Sequence, residues 1–452
     1  MTTLQSNLLE NHTPTGREEA WRFTPLKRLA GLHDGSATVK ARESLTLNGI
    51  AVPGVSFTRG AITTGSPSED SIVNRVRNYT SDGAILAIDK NTVVESPIYL
   101  NRCCGGVDTA EFSRVQIRLA EHSKATVILE NSGDTHLAED LEIILAPGSD
   151  LTFISLQEWG AKTVYAATHN AIIDRDATLK AIHVTVGGDV VRILPKVEFV
   201  GPGASADLQG VYFATEGQFF EHRMHVDHAV PHAKSNVNYK GALAGAGAHT
   251  VWIGDVYIRA AAEGTDTYEL NRNLLLTDGA RADSVPNLEI ETGEIVGAGH
   301  ASTTGRFDDE QLFYLMSRGI QEADARRLVV RGFFNEVISL IGNEDIQERL
   351  MARIDAGGLE LDYELIGPED GPPLVLTPGG RYPRDTAGVP ELGQIFAEHG
   401  YRVLLWDRPG CGPGGRGRQR RRARVRLVRG RLRQRDHRRA GRPRSGRRRP
   451  WW

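Results

Sequence analysis

The chain has 452 residues, 40% apolar and 25% charged, which is enough for a sizeable core in two or three domains. No apolar run is long enough to cross a bilayer, and three cysteines (Cys103, Cys104 and Cys411) make no disulfide framework, so a cytoplasmic location fits. The formal net charge of −3 conceals two unlike parts: residues 413–452 hold 18 of the 54 basic residues and one of the 57 acids, leaving 36 basic against 56 acidic residues and a net of −20 elsewhere. Such an acidic body argues against nucleic acid as a partner of the globular part.

The start, MTTLQSNLLENHTPTGREEAW, lacks a basic region followed by an apolar block and so shows no secretion signal. Residues 1–95 read as a mixed helical and strand segment. TGREEAWRFTPLKRLA (15–30) predicts a short helix carrying Ala20, Trp21 and Phe23, broken at Pro25. Arg17, Glu18 and Glu19 form its wet face, and residues 71–76 predict a second helical stretch.

Residues 96–305 are strand after strand. Val115, Ile117 and Leu119 alternate with Gln116 and Arg118; Leu141, Ile143 and Leu145 alternate less cleanly with Glu142 and Ile144. Turn-plus-strand phrases repeat: AEHSKATV from Ala120, APGSDLTF from Ala146, DRDATLKA from Asp174 and GPGASADL from Gly201, at intervals of 26, 28 and 27 residues. That period is one rung of a β-solenoid, in which each coil covers its neighbour's apolar face. A jelly roll or sandwich is the alternative; the repeat favours the solenoid.

The pattern then turns helical over 306–355. Asp308 and Gln311 are spaced as a capping box, and Gly319 is placed to stop that helix. The next helix carries two apolar stripes. Ala325, Leu328, Val329, Gly332, Phe333, Val337 and Leu340 form one, read as the buried face. Val330, Phe334, Ile338 and Ile341 form the other, either deeper core or a docking surface.

The phrases NRNLLLTDGARADSVPNLEIE, GHASTTGRFDDEQLFYLMSRGI and RRLVVRGFF, with EAWRFTPL near the start, resemble the SufB/SufD family, the scaffold subunits of the SUF iron–sulfur cluster assembly machinery. The resemblance covers roughly residues 15–345. It implies a mainly β fold with a right-handed parallel β-helix core, a subunit that is no enzyme by itself, pairing with a SufB-like scaffold, docking of a SufC-like ATPase, and a part in iron acquisition. It implies no tightly bound cofactor, only transient iron or an iron–sulfur cluster at the SufB interface.

Within the resemblance, His300 in GAGHASTTG matches a SufD histidine at the SufB–SufD interface, and imidazole can ligate iron or move a proton. Ala301 replaces the glutamate usual in SufB and Ala298 the cysteine frequent in SufD; TDGARADSVP lacks the sulfur-accepting cysteine of SufB. The chain therefore looks like SufD. Phe313, Arg318, Arg327, Val330, Arg331, Phe334 and Ile338 are the SufC-docking candidates that the resemblance implies.

Other groups bear on function. His222, His225, His228 and His232 lie within eleven residues. His222 and His228 share a strand face, with His225 opposite; the two are metal-ligand candidates, against ordinary polar packing. Cys103 and Cys104 face opposite ways and read as packing residues.

Residues 356–412 resemble the opening of an α/β-hydrolase, with a strand at 374–376, Pro378-Gly379-Gly380 at the oxyanion-hole position, a helix at 391–399 and a strand at 402–406. No G-x-S-x-G elbow follows. Residues 413–452, rich in Arg, Gly and Pro and closing on Trp451-Trp452, cannot bury a core and are expected to be disordered. GC-rich codons supply those residues in any frame, which points to a frame error or a fusion of neighbouring genes rather than to an arginine-rich nucleic-acid arm. A hydrolase fusion and a β-helix carbohydrate-active enzyme are the rival functions. The first lacks its nucleophile, and the second lacks acids clustered on one solenoid face.

Overall fold

Leu141, Ile143 and Leu145 alternate imperfectly because both faces of their strand are covered. The computed structural model describes residues 12–40, 44–48, 52–62, 68, 70–307, 309–355, 363–368, 371–376, 386 and 388–406. Asp308, Pro378-Gly379-Gly380, Cys411 and the tail 413–452 lie outside them. The chain divides into two units, Met1–Leu359 and Glu360–Trp452.

The first unit opens with two 3₁₀ turns, Glu19–Trp21 and Leu26–Arg28, on either side of Pro25; the helix predicted over 15–30 is reduced to these because proline interrupts it. There follow β1 (Leu45–Asn48), β2 (Val55–Ala61), α1 (Ser71–Tyr79) and β3 (Asp82–Ile88). Asp70 caps α1, accepting from the amides of Ile72 (2.9 Å) and Val73 (3.2 Å).

Two long strands, β4 (Ile98–Leu119) and β5 (Lys124–Leu145), then start a parallel stack. From β5 the sheet runs in two directions. One carries β6 (Asp150–Trp159), β8 (Thr178–Thr185), β10 (Ser205–Ala214), β12 (Lys234–Leu243), β14 (Asp266–Leu275) and β16 (Gly297–Arg306). The other carries β7 (Val164–Ile173), β9 (Val190–Phe199), β11 (Phe219–His228), β13 (His249–Ile258) and β15 (Arg281–Ile290). Each coil gives one strand to each run, and every pairing among β3–β16 is parallel. This is a parallel β-helix-like solenoid rather than a sandwich. The repeated phrases at 120, 146, 174 and 201 are the turns entering β5, β6, β8 and β10.

Those turns explain the repeat. His122, Gly148, Asp176, Gly203 and His232 all have positive φ, between 56° and 75°, and each stacks on the next. The amide of Gly148 donates to Arg175 O at 2.9 Å and that of Asp176 to Pro202 O at 3.1 Å. At Gly203 a Cβ would stand 2.4 Å from Asp176 Oδ1, so this corner needs glycine for space as well as conformation.

Inside the stack, large and small residues alternate between coils. Tyr239 lies over Gly210 and Gly241 over Tyr212. A Cβ on Gly241 would come 2.0 Å from the Tyr212 ring. Gly241→Ala is expected to lower the unfolding free energy by about 1–3 kcal/mol through overpacking, read by urea denaturation, with Tyr212→Leu in the same chain recovering part of the loss.

Three helices follow: α2 (Asp309–Ser317), α3 (Glu322–Ile338) and α4 (Glu344–Asp355). Gly319 ends α2 at φ 86°, as expected of a left-handed C-terminal residue. The structure buries the other stripe of α3 than the one expected to face the core. Val330, Phe334, Ile338 and Ile341 are buried, together with Ala325 and Val337, whereas Leu328 is 49% exposed. The buried stripe packs on outward-facing residues of the solenoid, including Ile154, Ile182, Val184 and Phe213. Ion pairs reinforce it: Lys240 to Glu336 at 2.5 Å, and Arg349 to Glu130 at 2.7 Å and Glu158 at 2.8 Å.

In the second unit, β17 (Tyr363–Ile366), β18 (Pro373–Leu376) and β19 (Arg402–Trp406) form a sheet ordered β17–β19–β18, with α5 (Val389–Glu398) between the last two in sequence. β18 and β19 are parallel, and β17 is antiparallel to β19.

Candidate functional site at the open end of the solenoid

The interior of a β-helix is one column of side chains per inward position. One column reads Phe153, Ala181, Leu208, Val237, Glu269 and His300 on β6, β8, β10, β12, β14 and β16. Four apolar residues give way to an acid and then to a histidine at the last coil. His300 is exposed, because no further coil covers β16.

Glu269 is 1% exposed, and neither carboxyl oxygen has a hydrogen-bond partner among the described residues. Burial, helped by Asp255, pushes its pKa up to about 8, so it is largely protonated at neutral pH. Gly254 makes room: a Cβ there would lie 2.6 Å from Glu269 Oε1 and 2.6 Å from Trp252 Cη2. On β16 itself the inward residues beside His300 are small or hydroxylic. Ala298, Ser302 and Thr304 lie over Thr267, Asn271 and Asn273.

Deeper in, a polar file replaces apolar packing. Arg102 donates to Glu139, to Ser113 at 2.9 Å and to Asn131 at 3.1 Å. Tyr165 Oη donates to Glu139 at 2.7 Å. His169 Nδ1 and His183 Nε2 are 3.1 Å apart, and Tyr239 Oη meets His183 Nδ1 at 2.9 Å. Nearer the open end Asn271 and Asn273 bond Tyr212, and Asn273 also donates to Ser284. Burial, then Arg102 and His222, hold His169 down to about 3; burial and His183 do the same for His222.

His222 and His228 belong to this interior. They share the inward face of β11 as their spacing requires, but six residues set them about 20 Å apart. His222 accepts or donates to Thr185 at 3.0 Å and stacks on Tyr212; His228 meets Ser235 at 2.9 Å. Among the described residues no group of three or more His, Cys, Asp or Glu is arranged to hold a metal. The geometry corrects the metal reading of this pair to polar packing. Cys104 is buried and Cys103 exposed, as their alternation requires.

The docking candidates separate into two sets. Val330, Phe334 and Ile338 are used by the chain's own core. Phe313, at 73% exposure, and Arg318, Arg327 and Arg331 face outward, joined by exposed Tyr314, Met316 and Leu328. Neither Glu269 nor the polar file was read from sequence. The signal is columnar, and successive members of a column stand 27 to 32 residues apart.

Residues 102–333 match the family description "SUF system FeS cluster assembly, SufBD core domain". An iron–sulfur cluster assembly SufBD family protein of Mycobacterium tuberculosis is 49% identical over 353 residues, covering 76% of this chain and 88% of the relative. Another from Mycobacterium leprae is 46% identical over 351 residues, covering 76% and 90%. The iron–sulfur cluster assembly protein SufD of Escherichia coli is 25% identical over 385 residues, covering 77% and 90%. With its parallel solenoid and a matched core spanning half its length, this chain belongs to the SufBD family of iron–sulfur cluster assembly proteins.

Proposed function

We propose that the chain is a SufD-like scaffold subunit, not an enzyme by itself, which pairs with a SufB-like scaffold through the open end and is docked by a SufC-like ATPase on α2 and α3. Iron, or a nascent iron–sulfur cluster, is then cargo passing the His300 end in the cytoplasm, with no resident cofactor. The observation that carries this reading is the division of labour on the helices. One stripe is spent on the chain's own core, and the outward apolar residues Phe313, Tyr314, Met316 and Leu328, flanked by arginines, have no such duty. Exposed apolar groups clustered in this way mark protein interfaces. The absence of cysteine between Thr277 and Pro286 favours the SufD-like over the SufB-like role.

Co-expression of the full chain with the SufB-like and SufC-like proteins of its organism tests it. All three are expected to co-purify. Phe313→Asp with Leu328→Asp should cut recovery of the ATPase at least tenfold while keeping the SufB-like partner. A stable chain indifferent to both partners would refute the reading.

A further inference from the structure

The column that ends at His300 changes character one coil earlier. Phe153, Ala181, Leu208 and Val237 are the residues a solenoid interior calls for; Glu269 is not. A buried carboxyl with both oxygens unpartnered is destabilising and gives the fold nothing in return, since among the described residues no arginine, lysine or amide reaches it. It lies directly beneath His300 in register, and adjacent strands are about 4.8 Å apart. Across the interior, the carboxyl occupies the space that a side chain at position 254 would need, since a Cβ on Gly254 would stand 2.6 Å from Glu269 Oε1. In the layer above, β16 carries Ala298, Ser302 and Thr304, and β15 carries Pro286 and Leu288 across from them.

We propose that Glu269 is a second metal-binding residue of this end, which with His300 forms a two-ligand half-site for a divalent first-row transition-metal ion. The inference rests on the reading of His300 as the group that meets iron cargo, and it adds the carboxylate. One imidazole and one carboxylate suit Fe²⁺, Mn²⁺, Co²⁺ or Zn²⁺. Two ligands from one chain hold such an ion weakly, and water or a partner subunit completes the shell. This is the behaviour required of a station that must release what it receives. It also agrees with the finding that no complete three-ligand group exists among the described residues. The rise of an otherwise purposeless acid one coil below the exposed histidine is then explained: it is shielded until an ion arrives, and it turns toward His300 when one does.

The test uses the full-length chain and Co²⁺, followed by calorimetry and by the d–d absorption of the bound ion. Wild type is expected to bind one Co²⁺ per chain with micromolar to millimolar affinity. Glu269→Gln and His300→Ala should each weaken binding at least tenfold, while His12→Ala, at an exposed histidine elsewhere, should leave it unchanged. Glu269→Gln keeps the shape of the neutral acid, so circular dichroism and the thermal midpoint should show a folded protein. Saturable binding that is lost in His300→Ala but kept in Glu269→Gln would overturn the inference and leave the scaffold reading standing; so would wild type that binds no Co²⁺. Failure to co-purify with the SufB-like partner would instead strike the scaffold reading, whatever the metal titration gives.

Discussion

Replacing Arg102 by methionine is expected to lower the unfolding free energy by about 3–5 kcal/mol. The guanidinium is fully buried, paired to Glu139 and further held by Ser113 and Asn131. Methionine fills much of the same volume, so the loss comes from charge: Glu139, itself fully buried, would keep Tyr165 as its remaining strong donor. An uncompensated buried carboxylate is far costlier than a neutral amide. The double variant Arg102→Met, Glu139→Gln should therefore recover at least half of the loss. Urea unfolding monitored by circular dichroism reads both. A single variant within about 1 kcal/mol of wild type would mean that the pair contributes little to stability.

The second large effect is a steep loss of stability in acid. His169 and His222 are held down to about 3 and His228 to about 4, and His183 lies well below its ordinary value, all chiefly by burial. Each titrates near 6.5 once unfolded. The unfolded chain thus binds more protons than the folded one from about pH 6.5 down to the folded values, and stability falls with falling pH across that window. Glu269 acts with the opposite sign. Its folded pKa of about 8 exceeds its unfolded value, so its contribution is complete below about 4.5 and is lost as pH rises toward 8. Four histidines against one acid leave a net of about three protons, or roughly 4 kcal/mol per pH unit between about pH 5.5 and 4.5. Two such units exceed the stability of many domains. Urea midpoints measured at half-unit steps should fall steeply there, and His222→Gln should flatten the curve by about a third. A flat profile from pH 6.5 to 4.5 would show that these rings are not held neutral.

The coil repeat was legible because its corners are chemically marked. The corners entering β5, β6, β8, β10 and β12 each carry a residue with positive φ, His122, Gly148, Asp176, Gly203 and His232, and these recur at rung spacing. The helices were legible too, but not their orientation. Two apolar stripes share α3, and periodicity alone does not say which meets the sheet; outward Ile154, Ile182 and Val184 decide for Val330, Phe334 and Ile338. His300 was reached through family resemblance. Its neighbour Glu269 was not, because the two stand 31 residues apart in the chain and meet only through strand register. The same holds for Tyr165, His169, His183 and Tyr239, whose partnerships exist only once the coils are stacked.

A push on the helices would reach His300 through the sheet. α3 rests on β10 and β12, and His300 sits on β16, two to three strand spacings away, or about 10–15 Å. Those spacings are bridged by continuous parallel strand pairing from β10 through β12 and β14 to β16. A rotation imposed on the helices would therefore carry the terminal coil with it as one stiff lever, its arm fixed by the number of rungs.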